Sequence, residues 1–291
     1  MVAGKSNEFA QRASGFFLLV IAALAASAAL GDSRPLSAAS PPILSSVSYA
    51  DLADLADGAP LVIRAQPRKI AAVEPARARG LRPGWGRFYV EAKTEALIAG
   101  TAPLGEVLRY LVDLPLGAKG KTPAFNKKSV VLFARTVAGR PEELQLVAPN
   151  AQLLWNAALD LRIKQVVREL IAPGAPPRII GVREAVHVSG DLAGAGETQI
   201  FLLSDSGEPA AITINRQPGA PPHWGVSFSE LTASDIAPLR NTLSWYRLAC
   251  FLPPVLPAAA NVADESADRA AAAQDYAFVR DQLGDCVRSR H

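Results

Sequence analysis

Trp85-Gly86-Arg87-Phe88-Tyr89-Val90-Glu91-Ala92 decides the fold of this chain. Side chains alternate along it with a period of two. Phe88 and Val90 face one way, while Trp85, Arg87 and Tyr89 face the other. The pattern runs on toward Ile98 and predicts a strand with one face in a core. Its neighbours read alike. Leu61-Val62-Ile63 opens a strand that continues past Pro67 toward Val73, edge-like or bent because Pro67 cannot donate to a ladder. Residues 107–114 form a further strand, with a helical turn as the alternative. Val130-Val131-Leu132-Phe133 marks a buried strand across 129–136, and residues 144–148 close the set. The Gly- and Lys-rich segment 117–128 is a loop.

A long helix is expected over residues 150–172, capped by Asn150 and stopped by Pro173-Gly174. Trp155, Leu159, Ile163, Val166, Val167 and Leu170 follow helical spacing. About five strands followed by a helix imply a small OB-like β-barrel. Ahead of it, residues 48–57 read as a short helix with Ser48 as cap and Leu52 and Leu55 on one side. The second half repeats the strand character over 178–188, 198–203, 210–215 and 224–228. Ser204-Asp205-Ser206-Gly207 makes one turn and residues 218–222 another. Ser234 or Asp235 starts a short helix, and helices follow over 241–252 and 264–283. The expected class is therefore α+β and β-rich. An OB-like barrel module with a long helix (48–174) packs on a second antiparallel-sheet module with a C-terminal helical pair (175–291).

The first residues carry an address. Lys5 and Arg12 flank a polar opening, an apolar run extends from Phe16 to Leu30, and Ala26-Ser27-Ala28 supplies small residues for cleavage. This is the layout of a secretory signal peptide over residues 1–28, followed by a Ser/Pro-rich linker over 29–47. An uncleaved membrane anchor is the alternative. The apolar run is 15 residues long, short of the ~20 that span a bilayer. The absence of Cys near the cleavage region excludes a bacterial lipoprotein signal. A periplasmic or secreted protein is expected, touching membrane only through this segment if it stays uncleaved. Such a compartment favours a bond between the two cysteines, Cys250 and Cys286, with two buried free thiols or pairing with a partner as the alternatives. Their bond would add about 3–4 kcal/mol by loop closure. Gly84-Trp85-Gly86-Arg87-Phe88-Tyr89-Val90-Glu91-Ala92 and Thr242-Leu243-Ser244-Trp245-Tyr246-Arg247-Leu248-Ala249-Cys250 resemble stretches of uncharacterised exported alphaproteobacterial proteins. The resemblance extends over residues 48–257 and implies export but no activity.

Charge narrows the partners. Thirty basic residues face 27 acidic ones, too even a balance for nucleic-acid binding. Locally, residues 61–90 hold Arg64, Arg68, Lys69, Arg77, Arg79, Arg82 and Arg87 against Glu74 alone, and residues 264–285 are acidic. The two regions either attract each other or are simply solvated, or the first is an anion-binding face. Trp85, Arg87 and Tyr89, beside Arg64, Arg68 and Lys69, are the candidate ligand-binding residues, because aromatics stack on sugar rings and Arg pairs with anions. Outside the cytoplasm the expected partner is an acidic glycan or an anionic envelope surface. The competing reading packs Trp85 and Tyr89 under the long helix or the second module. Asp205-Ser206-Gly207 resembles an aspartic-protease core but has no second copy, and reads as a turn. His187 and Ser189 share a strand face without a third orienting group, and His223 follows two prolines. No metal or cofactor is expected. The leading function is a non-enzymatic binding or structural protein of the cell envelope, and the alternative is a hydrolase acting on an envelope polymer.

Overall fold

The computed structural model describes residues 47–117, 120–122, 125, 127–229 and 236–290. The expected signal peptide, nearly all of the linker and the helix start at Ser234 or Asp235 lie outside these residues. The chain is α+β and strand-rich. Strands β1 (Leu61–Ala72), β2 (Trp85–Ala99), β3 (Val107–Pro115), β4 (Val130–Val137) and β5 (Arg140–Leu146) form a closed barrel in the order β1-β2-β3-β5-β4, returning to β1. All pairings are antiparallel except β3 with β5. This is the small OB-like barrel that the strand pattern predicts. Phe88, Val90 and Ala92 of β2 and Leu108, Tyr110 and Val112 of β3 are buried at alternate positions. Each larger apolar side chain so placed stabilises the fold by about 1.5–3 kcal/mol.

Closure depends on irregularity. β1 carries three register shifts along its pairing with β2, the last between Pro67 and Lys69. They bend the strand so that Leu61–Ala65 also pairs with β4. Gly100 ends β2 at φ 114°, where a Cβ would stand 2.5 Å from both the Pro60 carbonyl and the Leu61 side chain. β4 and β5 join through Ala138-Gly139, so β5 begins at Arg140 rather than at Leu144, because the tight turn continues the ladder into polar residues. The helix expected from residue 150 also starts later. Gln152–Leu154 instead forms β6, paired with β4, and the Gln152 side chain accepts a 2.6 Å hydrogen bond from Tyr110 in the core. Asn156 then caps α2 (Ala157–Ile171) by accepting from Leu159 N–H.

The parallel seam sets up a groove. β3 and β5 pair only at Arg109 with Glu143 and Tyr110 with Leu144. Beyond those rungs β5 follows β4, while β3 runs on to Pro115 and meets the chain again where Asp113 N–H donates to Pro149 at 2.7 Å. The two strands diverge between these points.

A second sheet, β10-β9-β8-β7, is an antiparallel meander of β7 (Ile179–Ser189), β8 (Gly196–Ser204), β9 (Ala211–Arg216) and β10 (His223–Ser227). Its apolar face, with Ile200, Leu202, Ile212 and Ile214, joins a core continuous with that of the barrel. Helix α1 (Tyr49–Asp57) packs on α2 and α3 (Leu243–Ala249), and α4 (Ser266–Leu283) lies on β7 and β8. Cys250 and Cys286 form a disulfide with Cα atoms 5.0 Å apart, tying the C-terminal segment to α3. That segment returns to α1, whose Asp51, Asp54 and Asp57 share one face. Ser289 N–H donates to Asp51 at 2.9 Å, Arg288 Nε to Asp54 at 2.6 Å and Arg247 Nη1 to Asp57 at 2.8 Å. No helix among the described residues is long and apolar enough to cross a membrane.

Candidate functional site

The outward faces of β2 and β3 alternate with their buried ones, so Arg87 and Tyr89 stand beside Leu111 and Asp113 in register. Arg87 clamps Asp113 with two hydrogen bonds, Nε to Oδ1 at 2.7 Å and Nη2 to Oδ2 at 2.8 Å. Asp113 is buried, and its hydrogen bonds raise the Arg87 guanidinium pKa above its ordinary value. Arg87 therefore has a structural task as well. Its removal would leave a buried carboxylate unpaired. Two of its five N–H donors are used, and the rest remain for a ligand.

The diverging seam forms a groove of about 640 Å³ over these residues. Tyr89 is 43 % exposed and Leu111 50 % exposed, and both line it, giving an apolar floor. Arg87 and Arg109 stand at its sides, with Glu143 and residues 145–149 as the far wall. A smaller cleft shares Asp113 and Pro149 with it and leads to Trp85 and Arg82. There the Arg82 guanidinium sits 5.2 Å over the Trp85 ring. Arg77 and Arg79, in the same β1–β2 loop, are exposed and have no acidic partner among the described residues.

The six candidate residues do not form one site. Trp85, Arg87 and Tyr89 line the groove and its continuation. Arg64 and Arg68 line a separate pocket with Trp155. Lys69 stands between them in a charge ladder: Lys69 to Glu91 at 2.9 Å, Glu91 to Arg109 at 3.7 Å and Arg109 to Glu142 at 2.7 Å. Tyr89 and Lys93, on opposite sides of that ladder, are about 13 Å apart along the strand. Among the described residues no ion pair joins the basic segment 61–90 to the acidic segment 264–285. The acidic side chains of α4 with hydrogen-bonded partners turn to the second sheet, Asp275 to Arg216 and Asp268 to Ser189.

The sequence reading missed Arg109, Leu111, Asp113 and Glu143. Arg109, Leu111 and Asp113 alternate at every second position of β3, the same signal that marked Arg87 and Tyr89. Their register against β2 is what brings them to the same face. It also missed Asp51, Asp54 and Asp57, whose spacing of three along a helix was visible.

The histidine candidates build no catalytic centre. A register shift between Val182 and Glu184 turns Arg183 away from the face that holds Ala185, His187 and Ser189. Arg183 stacks over Phe201 instead, at 5.3 Å. Thr198 donates its only hydroxyl proton to Asp275, which also binds Arg216. The 2.7 Å contact of His187 Nδ1 with Thr198 Oγ1 must then run from the imidazole N–H. A hydroxyl committed to a carboxylate is not activated by the histidine, and Thr198 and Asp275 are fully buried. His223 begins β10 opposite Asn215. Asp205 lies in the turn between β8 and β9, where Ser204 Oγ donates to the Glu208 carbonyl at 2.7 Å. Among the described residues no group of three His, Cys, Asp or Glu side chains could hold a metal ion. No protein-family model matches this chain, and no characterised protein sequence matches it.

Proposed function

We propose that this chain is an exported, non-enzymatic binding module of the cell envelope, periplasmic or secreted, and that the groove over β2, β3 and β5 holds an extended acidic glycan. The groove itself carries the proposal: an open apolar floor of Tyr89 and Leu111 between two arginines that ion pairs hold in place. A sugar ring presents C–H groups to such a floor. A uronic carboxylate suits the free guanidinium donors of Arg87 and Arg109. Both carboxylates in the groove accept from arginines, Asp113 from Arg87 and Glu143 from Arg140 at 3.0 Å. That commitment favours holding a polymer over cutting it. The basic, apolar and small-residue order of the first 28 residues supports export, and the disulfide is compatible with an oxidising compartment.

The test is calorimetric titration with oligogalacturonate, using neutral dextran as control. Tyr89→Ala and Leu111→Ser should each weaken oligogalacturonate binding about tenfold, or ~1.4 kcal/mol. Both residues are substantially exposed, so melting temperatures should barely move. Binding should also weaken with added salt, because exposed charges are screened over about 8–10 Å. Wild-type affinity in both variants, or equal binding of dextran, would overturn the reading.

A further inference from the structure

Across the charge ladder lies a pocket of about 510 Å³ on the outer face of β1 and β2. Arg64, Arg68, Lys93, Ser129 and Trp155 are among the residues that line it, and so is one carboxylate, Glu95. The Arg64 guanidinium is set 5.1 Å over the Trp155 ring. Its Nε is buried and makes no hydrogen bond, since Glu95, 3.2 Å away, supplies charge without alignment. Arg68 is exposed and has no acidic partner among the described residues. Lys93 lies 4.0 Å from Glu106, beyond hydrogen-bond reach. The Lys127 backbone is fastened to β1 beside Gln66 of the pocket, with its N–H on the Pro67 carbonyl and its own carbonyl taking Gln66 Nε2, both at 3.0 Å. Its φ of 63° lies in the left-handed region, so those bonds fix a conformation that lysine seldom adopts.

We propose that this pocket is a second binding site, for a phosphate ester. The coulombic gain scales with the charge of the anion, and a phosphate monoester carries about −1.5 to −2 where a carboxylate carries −1. Arg64 and Arg68 offer planar forks that match phosphate oxygens, and Lys93 offers a point charge. The pocket exceeds the size of one phosphate group and leaves room for the group's substituent. A soluble monoester and the monoester headgroup of a phosphatidic acid share this chemistry. The residues are distinct from those of the glycan groove, so the two proposals stand or fall separately.

Two arms test it on the purified protein. Glycerol 3-phosphate is titrated against tryptophan fluorescence, with Trp155→Phe assigning the signal. Vesicles of phosphatidylcholine, with and without phosphatidic acid, are tested by co-sedimentation. The variants are Arg68→Gln and the double change Arg68→Gln with Lys93→Gln, all at exposed positions, and Tyr89→Ala is the control. At least a tenfold loss in the double variant, with melting temperature unchanged and Tyr89→Ala unaffected, supports the site. The arm that shows the loss identifies the source. Absence of binding in both arms, equal binding by wild type and double variant, or equal competition by acetate at matched ionic strength would overturn it.

Discussion

Asp57 illustrates how one carboxylate ties three parts of the chain together. It ends α1, takes Arg247 from α3 through two hydrogen bonds, and takes Arg178 from the approach to β7 at 2.6 Å. Burial works to raise its pKa, but the hydrogen bonds from Arg247 and Arg178 outweigh that and hold it below the ordinary 3.8. Asp51 is likewise lowered, burial being outweighed by hydrogen bonds from Ser289 and Ser48. Both groups bind protons more weakly folded than unfolded. Their contribution to stability is therefore complete above about pH 4 and is lost as pH falls through the folded values. Urea unfolding of wild type and Asp57→Asn at neutral pH and at about pH 3 checks this. The variant should be less stable at neutral pH and lose less on acidification. Equal acid losses would remove Asp57 from this role.

The C-terminal segment depends on two kinds of attachment. The Cys250–Cys286 bond spans 36 positions, and the ion pair of Arg288 with Asp54 and the hydrogen bonds of Ser289 to Asp51 fasten the residues beyond it to α1. Opening the bond by Cys250→Ser with Cys286→Ser should cost about 3–4 kcal/mol by loop closure. In a protein of this size that lowers the melting temperature by roughly 10 °C. A calorimetric melt of the double variant checks it, and a shift under about 2 °C would mean that the polar contacts to α1 suffice alone. Single elements were largely legible. The Val130-Val131-Leu132-Phe133 run is buried throughout, and Ser48 caps α1 with Asp51 completing a reciprocal pair of bonds. The start of α2 was not legible, because Tyr110, some 40 residues earlier in the chain, draws Gln152 into a strand.

For the whole molecule, export is the property that the rest of the proposed function presupposes. N-terminal sequencing of protein from an envelope fraction should give a start close to residue 29, after Ala26-Ser27-Ala28. Intact Met1 on protein from the soluble cytoplasm would defeat that expectation. The sequence by itself determined what depends on neighbours in the chain: the alternation that makes β2 a half-buried strand, the apolar spacing of α2, the turns at glycines, and a pair of cysteines. It also placed Arg87 and Tyr89 on an outward face. Only the tertiary structure decided where that face ends. The register of β1 against β2 and of β2 against β3 sets Lys69, Glu91 and Arg109 in a row, dividing Arg64 and Arg68 from Trp85, Arg87 and Tyr89. The parting of β3 from β5 then opened the groove beside Leu111. A period of two says which side of a strand faces out. Which strands lie alongside, and at what offset, is set by pairings between residues far apart in sequence, and these form only when the barrel closes.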